Sequence, residues 1–237
     1  MGGEIGEFWV LKTDGIFQSQ AEVDNWNMGH GHKDNSGNWI PLQPSAKPGD
    51  IRFIDQNGDG LLDNNDKVKV GTGNPKFVLG FNVNLAYGNF DLTSNFYGNF
   101  GVKRYNYMKL QLQRMDKNFN YGKDALNAWT PENTDTDVPR AVQGDPNKNN
   151  AISDRFVEDG SFLRLNDLQL GYNLPTKTCK QLGIANLRLY IGGSRLFTIT
   201  SYKGYDPAVG AEAGKMGADY ALYPLSRSYM VGLKFGF

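Results

Sequence analysis

The stretch FVLGFNVNLAYGNFDLTSNFYGNF, residues 77–100, decides the fold. Its first half puts Phe77, Leu79, Phe81, Val83, Leu85 and Tyr87 on one side of an extended chain, with Val78, Gly80, Asn82, Asn84 and Ala86 on the other. That period of two marks a strand with two unlike faces. Gly88-Asn89 follows, both tolerant of positive φ, and the alternation resumes with Phe90, Leu92 and Phe96 opposite Asp91, Thr93, Asn95 and Asn99. The spacing predicts a tight hairpin whose arms are about twice the usual strand length of roughly 5–6 residues.

Three later segments follow the same plan: Phe162 to Leu174, Asn186 to Thr200, and Ser228 to Phe237. In the last, Tyr229, Val231, Leu233, Phe235 and Phe237 share a face and Met230, Gly232, Lys234 and Gly236 share the other. Two shorter candidates, Glu7 to Phe17 and Asp50 to Ile54, bring the expected count to about seven. Gln18 to Lys47, Gly101 to Asp159 and Ser201 to Arg227 read as long polar loops, the second with a short helix in YNYMKLQLQRM. The turn at Gly88-Asn89 and the link PTKTCKQLGIA are short by comparison. Long and short connections alternate, as they do at the two rims of an up-and-down barrel, with the long ones outside.

Composition narrows the class. The 237 residues carry 25 basic and 25 acidic side chains, which leaves no field for nucleic acid. Aromatics at 13%, 29 glycines and a mean hydropathy of −0.52 suit many strands. The single cysteine, Cys179, excludes an internal disulfide and a Cys-rich zinc site. No run reaches the roughly 18 apolar residues of a spanning helix, but barrel strands need only about 9–11 and alternate in polarity. Long strands, a second face of Asn, Gly, Ser and Thr, and a terminal aromatic favour an all-β antiparallel transmembrane barrel segment. The alternative is a secreted calcium-binding β-sandwich that binds glycans, with one strand face on the core and the other in water.

Eight ordered blocks carry a family likeness: TDGIFQSQAEVDNW, KPGDIRFIDQNGDGLLDNND, GNPKFVLGFNVNLAYGNFDL, WTPENT, DGSFLRLNDLQLGYNLP, LRLYIGGSRLFT, YKGYDP and VGLKFGF. Together they resemble the C-terminal region of SusC/RagA-family TonB-linked outer-membrane transporters. The resemblance implies a Bacteroidetes-type outer membrane, a barrel of about 22 strands and import of oligosaccharides or peptides. It also implies a SusD-like surface lipoprotein, the TonB complex, outer-membrane lipid and the barrel assembly machinery as partners. Residues 1–237 then read as the last third of the barrel, without signal peptide, TonB box or plug. Seven strands alone would leave two open edges that cannot face lipid, so a fragment or truncated gene is expected. The final strand, with Tyr229, Val231, Leu233, Phe235 and Phe237, is the implied barrel-assembly signal.

DQNGDGLLDNND, residues 55–66, carries the chemistry-bearing pattern. Calcium-ligand positions 1, 3, 5, 7, 9 and 12 fall on Asp55, Asn57, Asp59, Leu61 through its carbonyl, Asp63 and Asp66, with Gly60 at the sharp turn. Asp66 replaces the usual Glu, so the expected ion is structural and weakly held. The bland reading is an Asn/Asp/Gly turn that caps its own amides. His30 and His32 lack a third ligand and read as loop residues, and Asp135 and Asp137 read as solvated. No catalytic motif is present, so no enzyme is expected. Trp26, Trp39 and Trp129 are either ligand-stacking platforms or anchors between loops. The strand glycines, Gly171, Gly192, Gly193 and Gly232 among them, suggest close approach of another backbone such as a plug.

Overall fold

The computed structural model describes residues 2–208 and 216–237, so part of the expected loop 201–227, residues 209–215, lies outside the described residues. Along the chain run β1 (Glu7–Val10), β2 (Thr13–Ile16), α1 (Gln20–Gly29), β3 (Gly31–Lys33), β4 (Trp39–Pro41), β5 (Ile51–Phe53) and β6 (Val68–Thr72). The hairpin β7 (Phe77–Tyr87) and β8 (Phe90–Phe100) follows, then β9 (Lys103–Asn106), α2 (Tyr107–Gln113) and β10 (Val157–Asp159). The chain closes with β11 (Phe162–Asn173), α3 (Thr176–Gln181), β12 (Asn186–Thr200), β13 (Ala218–Asp219) and β14 (Ser228–Gly236). Two compact units share these elements. The first takes 1–73, 104–158 and 210–221, the second 74–103, 159–209 and 222–237.

The second unit is one antiparallel sheet in the order β14-β12-β11-β8-β7. Directly opposed residues share a face, so the register reads out rows across the strands. Leu85, Leu92, Leu170, Ile191 and Val231 form one unbroken aliphatic row over all five. Tyr87, Phe90, Tyr172, Leu189 and Leu233 form the next row toward the turn at Gly88, and Phe81, Phe96, Leu165 and Phe197 lie two rows the other way. Aromatics thus flank an aliphatic band, with Phe81 stacked on Phe96 at 4.6 Å and Phe90 against Tyr172 at 4.7 Å between ring centroids. The opposite face pairs Asn82 with Asn95, Asn84 with Thr93, and Asp91 with Gly171. There Arg188 grips Asp91, which also accepts from Asn173, while Arg164 donates to Thr198 and pairs with Asp206.

A bulge keeps the apolar set together. Leu163 and Leu165 have odd numbers, Leu168, Leu170 and Tyr172 even ones, and strict alternation would send the two groups to opposite faces. The register shifts between Leu165 and Asp167, where Asn166 is the extra residue, and both groups stay on one side. On β12 the matching irregularity sits where Arg195 adopts a φ of 55°. Space explains two of the glycines on the polar face, Gly171 and Gly232. A Cβ on Gly171 would fall 2.6 Å from the Asp91 carboxylate, and one on Gly232 would strike the Tyr190 ring. Large side chains of the neighbouring strands fill the room that the sequence suggested for a foreign backbone.

Three expectations are corrected. Glu7 to Phe17 is two short strands, because β1 pairs with β6 and β2 with β5, so neither joins the long sheet. The described residues form an open five-stranded sheet in place of seven barrel strands, and no closed barrel. Gln18 to Lys47 is ordered: α1 starts on Ser19, whose hydroxyl accepts from the Glu22 amide, and β3 pairs with β4. The sandwich alternative needs a second sheet over the apolar face, and the described residues of this unit supply none. Val231 is 86% exposed and Tyr229 77%.

The two faces differ in what they tolerate. If the aliphatic row meets a bilayer, as the sequence leads one to expect, Leu170→Arg destabilises the inserted sheet by about 2–4 kcal/mol, whereas Gln169→Arg on the polar face costs far less. Urea unfolding in lipid vesicles checks the contrast, and equal costs would remove the assignment of faces.

Candidate functional site

The first unit is built around β5, a strand of three residues with too little ladder to hold itself. One edge pairs with β2. The other is closed by side chains: Asn149 Oδ1 accepts from the Ile51 amide at 2.9 Å, Gln43 Oε1 accepts from the Phe53 amide at 2.9 Å, and the Ile51 carbonyl accepts from Gln43 and Asn147. Gln43 also donates to Asn147, and Asn147 to Asn149, so the buried amides complete one another. Asp50 extends the network. Fully buried, it takes two bonds from Arg140 at 2.8 and 3.0 Å, one from Asn149 and one from the Lys47 amide. Beside it, burial lowers the Arg155 guanidinium to about 10, against the pull of Asp137, Asp154 and Asp145.

Immediately beyond β5 comes the loop 55–66. Asp55 accepts from the Gly58 and Gly60 amides, each at 2.7 Å, Asn57 from Asp59, Asp59 from Leu61, and Asp63 from Asn65. Asp66 is fully buried, and its two oxygens take the Gln56 amide at 2.9 Å and the Asp63 amide at 2.8 Å, closing a capping box on a 3-10 turn. Among the described residues no group of three His, Cys, Asp or Glu side chains is gathered to hold a metal. Asp66 is tied into its cap through both oxygens, as Asp55 is through the amides of Gly58 and Gly60. Gly60 is required twice: its φ is 79°, and a Cβ there would lie 2.3 Å from the Gly31 carbonyl carbon. His32 Nδ1 donates to the Gly60 carbonyl at 3.0 Å, tying the loop to β3.

The other singled-out residues separate. Trp129 is buried with Ile16, Ile51 and Phe53 and donates to Gln18, so its ring faces serve the core as a loop anchor and offer no stacking platform. Trp26 packs on the Phe17 cluster, stacks on His30 at 3.9 Å and lies 5.3 Å from the Arg52 guanidinium. Trp39 keeps 44% of its surface open while its indole N–H donates to the Asn27 carbonyl. Cys179 is buried, with its thiol on the Leu174 carbonyl. Asp135 and Asp137 line an open polar cleft with Asp14 and Arg52.

Comparison with known proteins places the whole chain. No family model matches it. It is 34% identical, in an alignment of 243 residues that covers 100% of the chain, to TonB-dependent receptor P3 of Formosa agariphila, and 25% identical to TonB-dependent receptor SusC of Bacteroides thetaiotaomicron. Solved structures of the RagAB peptide transporter and of the RagAB peptide importer in its closed-closed state match with TM-scores of 0.67 and 0.66 at 27% and 26% identity. They cover 98% and 100% of this chain. The chain is a SusC/RagA-family segment. It spans 22% of the length of either curated relative, and 23% and 24% of the two solved chains.

SusC/RagA receptors are outer-membrane proteins of Bacteroidetes, so the segment belongs to that membrane. The exposed aliphatic rows give the sheet one face suited to hydrocarbon, and Asp91, Arg188 and Arg164 lie on the other. Tyr229, Val231, Leu233 and Phe235 line the apolar face of the edge strand, and Phe237 is 98% exposed beyond it.

The weight carried by Asp50 is measurable in such a receptor. Asp50→Ala leaves Arg140 and Asn149 without their shared acceptor and is expected to cost about 3–5 kcal/mol in the first unit, as loss of one partner of a buried pair does. Hydrogen exchange at Ile51 and Phe53 reads the loss, while the long sheet keeps its protection.

Proposed function

We propose that this segment supplies barrel wall and extracellular loops to a TonB-dependent transporter that imports oligosaccharides or peptides with a SusD-like lipoprotein. One observation carries the reading: a five-stranded sheet with a continuous, largely exposed aliphatic row, in a chain similar along its whole length to receptors of this kind. The roughly 22-stranded closed barrel, the TonB complex, the barrel assembly machinery and the place of residues 1–237 at the C-terminal end of the receptor belong to the same proposal. No chemical step is asked of the segment. In this reading the polar face lines the lumen, and the final strand through Phe237 addresses the chain to the assembly machinery.

Cells carrying the complete receptor should take up labelled substrate in an energy-dependent way, and removing the lipoprotein or TonB should abolish uptake. Deleting Phe237 should lower the amount of folded receptor in the outer membrane and leave uptake per inserted receptor unchanged. Uptake equal to that of cells without the receptor would sink the transport reading.

A calcium ion on loop 55–66 is a second proposal, supported by the ligand spacing, by the exposed carboxylates of Asp59 and Asp63 and by the half-buried one of Asp55. The donor set is the Leu61 carbonyl with Asp55, Asn57, Asp59, Asp63 and Asp66, whose side chains accept the loop's own amides in this structure. Millimolar calcium should raise the melting temperature of the complete receptor by a few degrees, less so after Asp55→Ala with Asp59→Ala. No shift leaves the amide caps as the loop's support.

A further inference from the structure

A half-enclosed cavity of about 340 Å³ opens in the first unit. Leu11, Leu42, Phe53 and Leu62 give it an apolar wall, and Ser45 and Lys148 are exposed at its margin. Gln43 and Asn147 also border it, but their amides are spent on β5 and on each other. A ligand rich in hydroxyls would therefore find few free partners on this wall.

Lys148 is the only charged residue in the lining. Among the described residues no carboxylate pairs with it. Its backbone sits in the left-handed region at φ 58°, one residue beyond Asn147, in a turn begun by Asp145 at φ 48°. The turn is tied from several directions: the Lys148 amide donates to the Asp145 carbonyl, the Ala151 amide to the Lys148 carbonyl, and the Asp145 carboxylate takes the amides of Asn149 and Asn150. Two left-handed non-glycine residues cost energy that this lacing sustains, and such outliers gather at ligand clamps. The cavity is at the small end of ligand sites, with room for one bulky side chain.

We propose that this cavity binds the C-terminal residue of a peptide, its large apolar side chain among Leu11, Leu42, Phe53 and Leu62 and its carboxylate on the Lys148 ammonium. The inference rests on the transport reading and selects peptides within it. An apolar wall with one unpaired cation at its margin complements an apolar side chain that ends beside an anion. The Lys148 turn is already formed, so little ordering opposes binding. Leu62 belongs to loop 55–66, so the caps of that loop also hold one wall of the cavity.

The test is calorimetry on the complete receptor with Ala-Ala-Leu, its C-terminal amide, and Ala-Ala-Gly. The free acid of Ala-Ala-Leu should bind about tenfold more tightly than its amide, the worth of one charge-assisted contact, and more tightly than Ala-Ala-Gly. Lys148→Gln, an exposed substitution that keeps the fold, should abolish the preference for the acid. Ala151→Leu, which occupies cavity volume, should weaken Ala-Ala-Leu more than Ala-Ala-Gly. Equal affinity for acid and amide, or a preference that survives Lys148→Gln, overturns this site and leaves peptide import standing. Absence of binding by all three peptides overturns the site together with the choice of peptides.

Discussion

A strand is stable only when the polar groups along both its edges find partners, and the two units meet that requirement in different ways. In the long sheet, backbone answers backbone over nine to eleven residue pairs at a time, and the register that results fixes which side chains share the exposed apolar face. In the first unit β5 is too short for that. Gln43, Asn147 and Asn149 stand in for a neighbouring strand, and Asp50 with Arg140 holds the stand-ins in place. The hydrophobic cluster of Ile16, Ile51, Phe53 and Trp129 packs only because this edge is closed.

The long sheet was legible in the sequence because period-two alternation over eleven residues has few competing explanations. β7, β8, β11, β12 and β14 all fall within the expected segments, and the turn at Gly88-Asn89 follows from its residue types. The Asn166 bulge was not legible as such, although the parity change between Leu165 and Leu168 is its written trace. The first unit was read less well. A continuous strand over 7–17 was the natural reading of EFWVLKTDGIF, because nothing local says that β1 and β2 take different partners. Helix α1 was hidden by its polar composition, yet Ser19 followed by Glu22 three residues later is a capping-box signal. The amide network drew on GDPNKNN, a run that looks irregular because its side chains do the pairing that a strand's backbone would do.

The calcium-like loop shows how one pattern serves two chemistries. Short carboxylates at alternate positions with a glycine in the middle suit an ion, and they equally suit a chain that bends back to satisfy its own amides. In this loop Asp55, Asp59, Asp63 and Asp66 each accept at least one backbone amide, which is the second use. Trp129 is parallel to it: aromatic enough for a ligand platform, it is spent on the core instead.

The order of the segments has a consequence for how such a receptor comes into being. The chain enters the first unit, leaves at Gly73 for the hairpin, returns at Arg104, leaves again after Glu158 and is back in it by Met216. Gln43 thus waits about a hundred residues for Asn147, and Asp50 waits ninety for Arg140. Contacts so distant in sequence make assembly slow, because the loop must close before the bond rewards it. The β7–β8 hairpin, joined by two residues, needs no such delay. The timetable of folding is therefore written in the connectivity, with local pairs first and the polar network of the first unit completed only after residue 149 has emerged.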